Sequence, residues 1–325
     1  MQHRSLLLAG LLAMAGILPA TVQAQQAYPN KPVKLVVGFA PGGAADYVAR
    51  AVGEALGRAL GQSIVIENKA GAGSSIAADL VAKAAPDGYT LLIASPAAIS
   101  VNPALNPRLS YRPSDLLPVT KLTASPLVIA VNPNAGIASV KELIAKAKAA
   151  PGSLNVATAG NGSATHLGAA QFAQVAGIKF TEIPYRGGGP AMQSLIAGDT
   201  QIYFGTPPSA LPHIQSGRVR GLGNRAAERS ALFPDLPGMK EAGLPDYNLD
   251  FWYGFFVPAG TPQPIVQKIF EATRTALQQD SVKTALAREG TEVSLSKSPA
   301  DFAAFLVQDE KFWVKLVKDA DVKIE

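Results

Sequence analysis

Residues 33–39, VKLVVGF, form a run of strand length that is apolar except for Lys34 and Gly38. From Asp46 the pattern changes, and Val48, Val52, Ala55, Leu56 and Ala59 fall at helical spacing through 60. The alternation then repeats. SIVIE (63–67) precedes a stretch whose Ile76, Leu80, Val81 and Ala84 share one helix face, and TLLIA (90–94) follows. PLVIAV (126–131) leads to a helix from Ser139, and LNVATAG (154–160) to a helix from about Thr165. IKFTEI, a short helix over 191–197 and TQIYFG come next. Beyond Pro262 lie two helical stretches and an amphipathic run, 298–320, carrying Phe302, Phe305, Leu306, Phe312, Trp313 and Leu316. Repeated strand–helix–strand units predict an α/β protein with mainly parallel sheets.

The two halves echo one another in pattern. In each, a strand runs into a loop of small residues, APGGAAD in one and AGNGSAT in the other, and a helix follows. Each then has a second strand, a glycine-rich loop (NKAGAGSS, then YRGGGP), and a third strand ending in Ser-Pro or Thr-Pro-Pro. Two similar α/β lobes with facing loops are expected, and in such sheets ligands bind beyond the carboxyl ends of the strands. The stretch GFAPGGAAD (38–46) removes side chains where a strand hands over to a helix, whose first N–H groups are free to meet an anion.

The first 24 residues hold one basic residue before an apolar core and end Val22-Gln23-Ala24, which predicts a cleaved signal peptide. The core, Leu6 to Leu18, falls short of the roughly 20 residues of a spanning helix. Cysteine is absent, so neither disulfides nor a thiol for lipid attachment is available. The mild excess of 29 Lys and Arg over 24 acids is scattered along the chain, which argues against nucleic acid as a partner. With 48% apolar residues the chain can bury a core without covalent staples.

Catalytic patterns fare poorly. No G-x-S-x-G surrounds Ser163 or Ser74, and the histidines outside the leader, His166 and His213, form no H-E-x-x-H. His166 suits a helix start better than a general base. GAGSSI (71–76) misses the last glycine of a dinucleotide loop, and no Walker sequence is present. Neither catalytic residues, a metal site nor a cofactor is therefore expected.

YPNKPVKLVVGFAPGGAADYVAR resembles the start of the Bug-type solute-binding proteins of tripartite tricarboxylate transporters. The likeness continues through GQSIVIENKAGAGSSIAADLVAKAAPDGYTLLIAS, PGSLNVATAGNGSATHL, IPYRGGGPAMQSLIAG and LPDYNLDFWYGFFVPAGTP. It spans essentially all of the chain after the leader. Departures are Ala40 in place of a further proline, Arg186 where lysine is common, and GLGNRAAERS in place of a more apolar strand.

The resemblance implies a two-lobed, type II-like periplasmic-binding-protein fold with the ligand in the cleft between lobes. It implies lobe 1 over 25–126 and 253–325, lobe 2 over 127–252, and crossings near 126–131 and 251–256. Carried onto this sequence, the ligand contacts are Phe39, Gly42, Gly43, Ser95, Ser163, Thr165, Tyr185 and Thr206. Asp46 is read as a helix cap more than a ligand contact, and Trp252 and Tyr253 as hinge braces; the part played by Arg186 is left open. The implied role is capture of a small carboxylate in the periplasm, by a monomer, for the permease subunits of the transporter. A sensory input to a membrane kinase is the rival, and a secreted enzyme on a related fold the weaker one. The leader and the missing cysteine together predict a processed protein that begins at Gln25 and carries no acyl group. Intact mass of the exported protein checks this, and a retained leader or a lipid adduct contradicts it.

Overall fold

The computed structural model describes residues 28–319 except 231, 248 and 249; the expected signal peptide lies outside the described residues. The strands are Val33–Val37 (β1), Ile64–Asn68 (β2), Thr90–Ala94 (β3), Leu116–Pro126 (β4), Val128–Val131 (β5), Asn155–Thr158 (β6), Thr181–Pro184 (β7), Ile202–Gly205 (β8), Arg220–Asn224 (β9), Asp250–Pro258 (β10) and Glu292–Val293 (β11). The helices are Ala44–Leu60 (α1), Ser75–Ala82 (α2), Asn102–Leu105 (α3), Val140–Ala149 (α4), Ala164–Ala176 (α5), Gly188–Ala197 (α6), Pro207–Gln215 (α7), Gln263–Gln278 (α8), Asp280–Arg288 (α9) and Pro299–Asp319 (α10).

These strands form two sheets, ordered β11-β4-β10-β3-β1-β2 and β7-β6-β8-β5-β9. Within each, the strand–helix–strand units pair in parallel, β1 with β2 and β3, and β6 with β7 and β8. The connecting strands add antiparallel pairs: β10 lies between β3 and β4, and β5 between β8 and β9. Both sheets are covered on both faces, as the period of two requires. Val33, Leu35 and Val37 of β1 join Phe255 and Val257 of β10 under α1, α8 and α9, whereas Val36, Leu92, Trp252 and Phe256 face α2 and α10. In the second sheet Ile129, Val156 and Phe204 face α4 and α5, and Val128, Ala157 and Tyr203 face α6 and α7.

The run 126–131 is broken rather than continuous. β4 ends at Pro126 in the first sheet and β5 starts at Val128 in the second, so the chain changes sheets at Leu127. The return does not fall at 251–256. β10 pairs within the first sheet from Asp250 onward, and the chain crosses between Asn224 and Asp250. The two crossings touch where the Arg225 N–H donates to the Leu127 carbonyl at 2.7 Å.

Helix α10 lies along the first sheet and reaches the second lobe. Trp313, Leu316 and Val317 pack with Val101 and with Leu167 of α5 in one buried cluster. On the same helix, Asp309 Oδ1 accepts the indole N–H groups of Trp252 (2.9 Å) and Trp313 (3.1 Å). Burial pushes the Asp309 carboxyl up to about 6, although both indoles and Lys121 favour its ionised form. A folded value above the unfolded one means that protonation favours the fold. That contribution is full below pH ~4 and is lost as pH rises through ~6. Asp309→Asn keeps the acceptor without the charge. It should stabilise the protein by about 2 kcal/mol at pH 8 and by almost nothing below pH 4, measured by urea unfolding across that range.

Candidate functional site

Strand β1 delivers the loop 38–43 to the carboxyl edge of the first sheet, and α1 starts directly after Gly43. No side chain caps this start, and the N–H groups of Ala44 and Ala45 find no acceptor among the described residues, though both residues are buried. Asp46, one turn in, is turned to a different task. Its carboxylate accepts both the Nε and Nη2 of Arg50 (2.9 Å each), the Gly42 N–H (3.1 Å) and Asn68 Nδ2 (3.1 Å). Burial opposes the charge, but Arg50, the Gly42 N–H and Asn68 outweigh it and hold the carboxyl below its ordinary range. Asn68 Nδ2 also donates to the Phe39 carbonyl at 3.0 Å, so one network fixes both ends of the loop.

In the second lobe β6 leads to the loop 159–163 and α5. Ser163 is the cap residue, and its Oγ accepts the His166 N–H (3.3 Å) and lies 3.0 Å from Thr165 Oγ1. Thr165 Oγ1 in turn accepts the Ala159 N–H at 2.7 Å. The N–H groups of Ala164 and Thr165 stay free among the described residues. His166 Nδ1 accepts the Gly162 N–H (2.9 Å) and Nε2 lies 2.6 Å from Glu182 Oε2, so both ring nitrogens brace the loop. The imidazole does not bond the Ser163 hydroxyl, and no nucleophile–base pair exists here.

The two helix starts meet across the cleft with a third, that of α6, after Gly187. A Cβ on Gly43 would lie 3.4 Å from the Gly188 nitrogen and 3.5 Å from the Gly189 nitrogen, so the lobes touch backbone to backbone. The Ala40 N–H donates to the Arg186 carbonyl at 3.1 Å, a further bond across the cleft. Between these elements lies a small cavity of about 20 Å³, room for a water or a carboxylate oxygen. A second space of about 230 Å³ shares Phe39 and Ala159 with its lining.

Phe39, Gly43, Ser163, Thr165 and Thr206 line the inner cavity, and Phe39 and Tyr185 line the outer one. Gly42 lines neither; its N–H is held by Asp46. Ser95 is fully buried at the end of β3 and touches neither space. The Tyr185 hydroxyl donates to Ser194 Oγ (2.5 Å), so only its ring faces the opening. Thr206 starts α7, where Pro207 and Pro208 offer no N–H. Sequence reasoning missed Tyr203, Phe251 and Tyr253 in the inner wall and Ala72, Gly73, Ser74 and Asn161 in the outer one. The glycines of NKAGAGSS marked the outer loop without saying which residue lines the space. Among the described residues no cluster of His, Asp or Glu has metal-ligand geometry, and no helix is long and apolar enough to cross a membrane.

A family model described as the tripartite tricarboxylate transporter family receptor matches residues 48–322. The chain belongs to this family. Protein BugT of Bordetella pertussis is 35% identical over 322 residues, 97% of this chain and 98% of that protein. MatC of Rhodopseudomonas palustris, solved with bound malate, is 34% identical with a TM-score of 0.84, covering 89% of this chain and all of MatC. A second R. palustris protein, solved with adipate, is 32% identical with a TM-score of 0.87 over 91% of this chain and 99% of its own. BugD, solved as a periplasmic binding protein, superposes with a TM-score of 0.87 at 31% identity, covering 92% of this chain and all of its own. The family and BugD are binding proteins, consistent with a site that offers donors and no reacting pair.

The backbone contact at Gly43 makes a sharp test. Gly43→Ala should be tolerated, whereas the branches of Gly43→Val would meet the start of α6 and hold the lobes apart. The valine variant should lose affinity for a carboxylate by about 100-fold or more with little change in unfolding temperature, read by calorimetry and thermal melting.

Proposed function

We propose that the protein captures a small organic acid in the cleft between its lobes and presents it, from the periplasm, to the permease subunits of a tripartite tricarboxylate transporter. The observation that carries this reading is the pair of helix starts, α1 with no side-chain cap and α5 with its first two N–H groups free, facing one small cavity that no charged side chain lines. Buried N–H donors without acceptors ask for an anion, and a carboxylate satisfies several at once. The malate and adipate bound to two relatives support this ligand class. No chemistry follows capture, because both ring nitrogens of the histidine at the site are spent on holding its loop and neither activates a hydroxyl. The protein is therefore a carrier rather than an enzyme.

Each lobe holds only part of the contacts, so closure completes the site. We take the two sheets with their helices as the moving units, hinged at Leu127 and within 225–249. Ser163 has two duties, capping α5 and offering its hydroxyl to the ligand, and Ser163→Ala should cost about 1 kcal/mol of stability as well as affinity. Titration with malate and adipate followed by thermal melting tests the reading directly. The expected result is a rise in melting temperature with at least one acid, none with its amide, and a smaller radius of gyration in solution scattering on binding. No shift with any small acid contradicts it.

A further inference from the structure

A second seam joins the two lobes beside the 230 Å³ space, where loop 71–75 meets loop 160–163. A Cβ on Gly73 would fall 2.4 Å from the Asn161 carbonyl oxygen, and one on Gly162 only 2.1 Å from Asn102 Oδ1. Each glycine instead points a Cα–H at an oxygen of the opposite lobe, a weak contact that needs this close approach. Asn102 opens α3 and is 2% exposed. Its Nδ2 donates to the carbonyls of Ala72 (3.2 Å) and Gly73 (2.9 Å) and to Ser75 Oγ (2.8 Å). These bonds fix the orientation of the amide, because the reverse one would set Oδ1 against two carbonyl oxygens. They also hold a strained stretch. Ala72 (φ +46°) and Ser74 (φ +77°) are left-handed without being glycine, and such residues persist only where their surroundings impose it. The other end of the amide, Oδ1, accepts no N–H or O–H from a described residue and is covered by Gly162.

The seam connects the two helix starts through a short chain of contacts. Loop 71–75 packs on loop 38–43, since a Cβ on Gly38 would fall 1.8 Å from Ser74 Oγ, and loop 38–43 leads into α1. Gly162, on the other side of Asn102, directly precedes Ser163 and the start of α5. We propose that Asn102 is a positioning residue for capture, coupling the shape of loop 71–75 to closure of the second lobe over the ligand. This rests on the carboxylate reading of the cleft and deepens it. Asn102 lines neither cavity and acts through the backbone on both sides. Its nitrogen shapes a loop of its own lobe, and its oxygen receives the loop of the other. The contacts at Gly73 and Gly162 run between lobes, so they exist only while the cleft is closed. Where Gly162 seats on Oδ1 then sets where the free N–H groups of α5 stand relative to those of α1.

The test is a double-mutant cycle across the seam, read by calorimetry with malate and adipate. Asn102→Ala should weaken binding about tenfold or more by freeing loop 71–75. Gly162→Ala should weaken it about as much by driving a methyl group into Oδ1. The double variant should be no more than about threefold weaker than the worse single one, because alanine at 102 removes the atom that the methyl meets. The left-handed backbone cost of alanine at 162 is common to both backgrounds and cancels. Melting temperatures of the unliganded proteins report the cost to folding separately. Gly73→Ala keeps Asn102 and sets its methyl against the Asn161 carbonyl, so the seam is tested even if Asn102→Ala does not fold. It too should cost about tenfold or more in affinity. Losses that multiply in the double variant, or near-wild-type binding by Asn102→Ala or Gly73→Ala, overturn the coupling alone. Failure of wild type to bind either acid overturns it together with the carboxylate reading.

Discussion

Two helix starts face each other across the cleft, α1 with no side-chain cap and α5 with its first two N–H groups free, and much of the surrounding structure keeps them so. Each buried N–H left without an acceptor costs on the order of 1–3 kcal/mol, which only an incoming acceptor recovers. The obvious internal candidate, Asp46, sits in the first turn of α1 but is engaged by Arg50, Asn68 and the Gly42 N–H. Ser163 satisfies the third N–H of α5 and leaves the first two. Prolines at the start of α7 remove donors that would otherwise compete. Glycines at 43, 188 and 189 let these elements approach without intervening side chains. The site is thus defined by what has been kept out of it.

The lobes are joined by more than the cleft. Both crossings run side by side through the bond from the Arg225 N–H to the Leu127 carbonyl. Leu167 of α5 is also buried against Val101 and Trp313, so an apolar cluster ties the helix behind the Ser163 loop to the last helix of the other lobe. Packing of α10, where Asp309 accepts both indoles, is therefore continuous with the helix that borders the cleft.

Where one residue type repeated at one period, the elements could be read directly: β1, β3, α1, α5 and α10 lie within a few residues of their expected places. The misses have physical causes. β4 carries Pro118 and Lys121 among polar residues, and its place is set by pairing along β10 rather than by its own pattern. α7 was hidden by Pro212 inside it, and β9 by its two glycines. The apolar run at 126–131 reads as one strand, and only the resemblance put a crossing there, because burial on both sides of Leu127 looks the same in sequence. At the site, small-residue loops pointed to the right region. They could not show that Gly42 and Tyr185 spend their polar groups internally, or that Ser74 faces the opening, because those outcomes depend on contacts over long sequence separations.

The path of the chain through its two sheets also sets an order of assembly. The second sheet is drawn from one continuous stretch, 128–224, and can form once that stretch is present. The first cannot, because its fourth strand in space, β10, begins only at Asp250, and β4 pairs with the remainder through it. Until then β1, β2 and β3 lack the partner that seals their inner edge, and Trp252 and Phe256 are missing from the core beneath α2. A chain emerging with its amino end first therefore completes its later lobe before its earlier one, and the binding cleft becomes the last part of the molecule to exist.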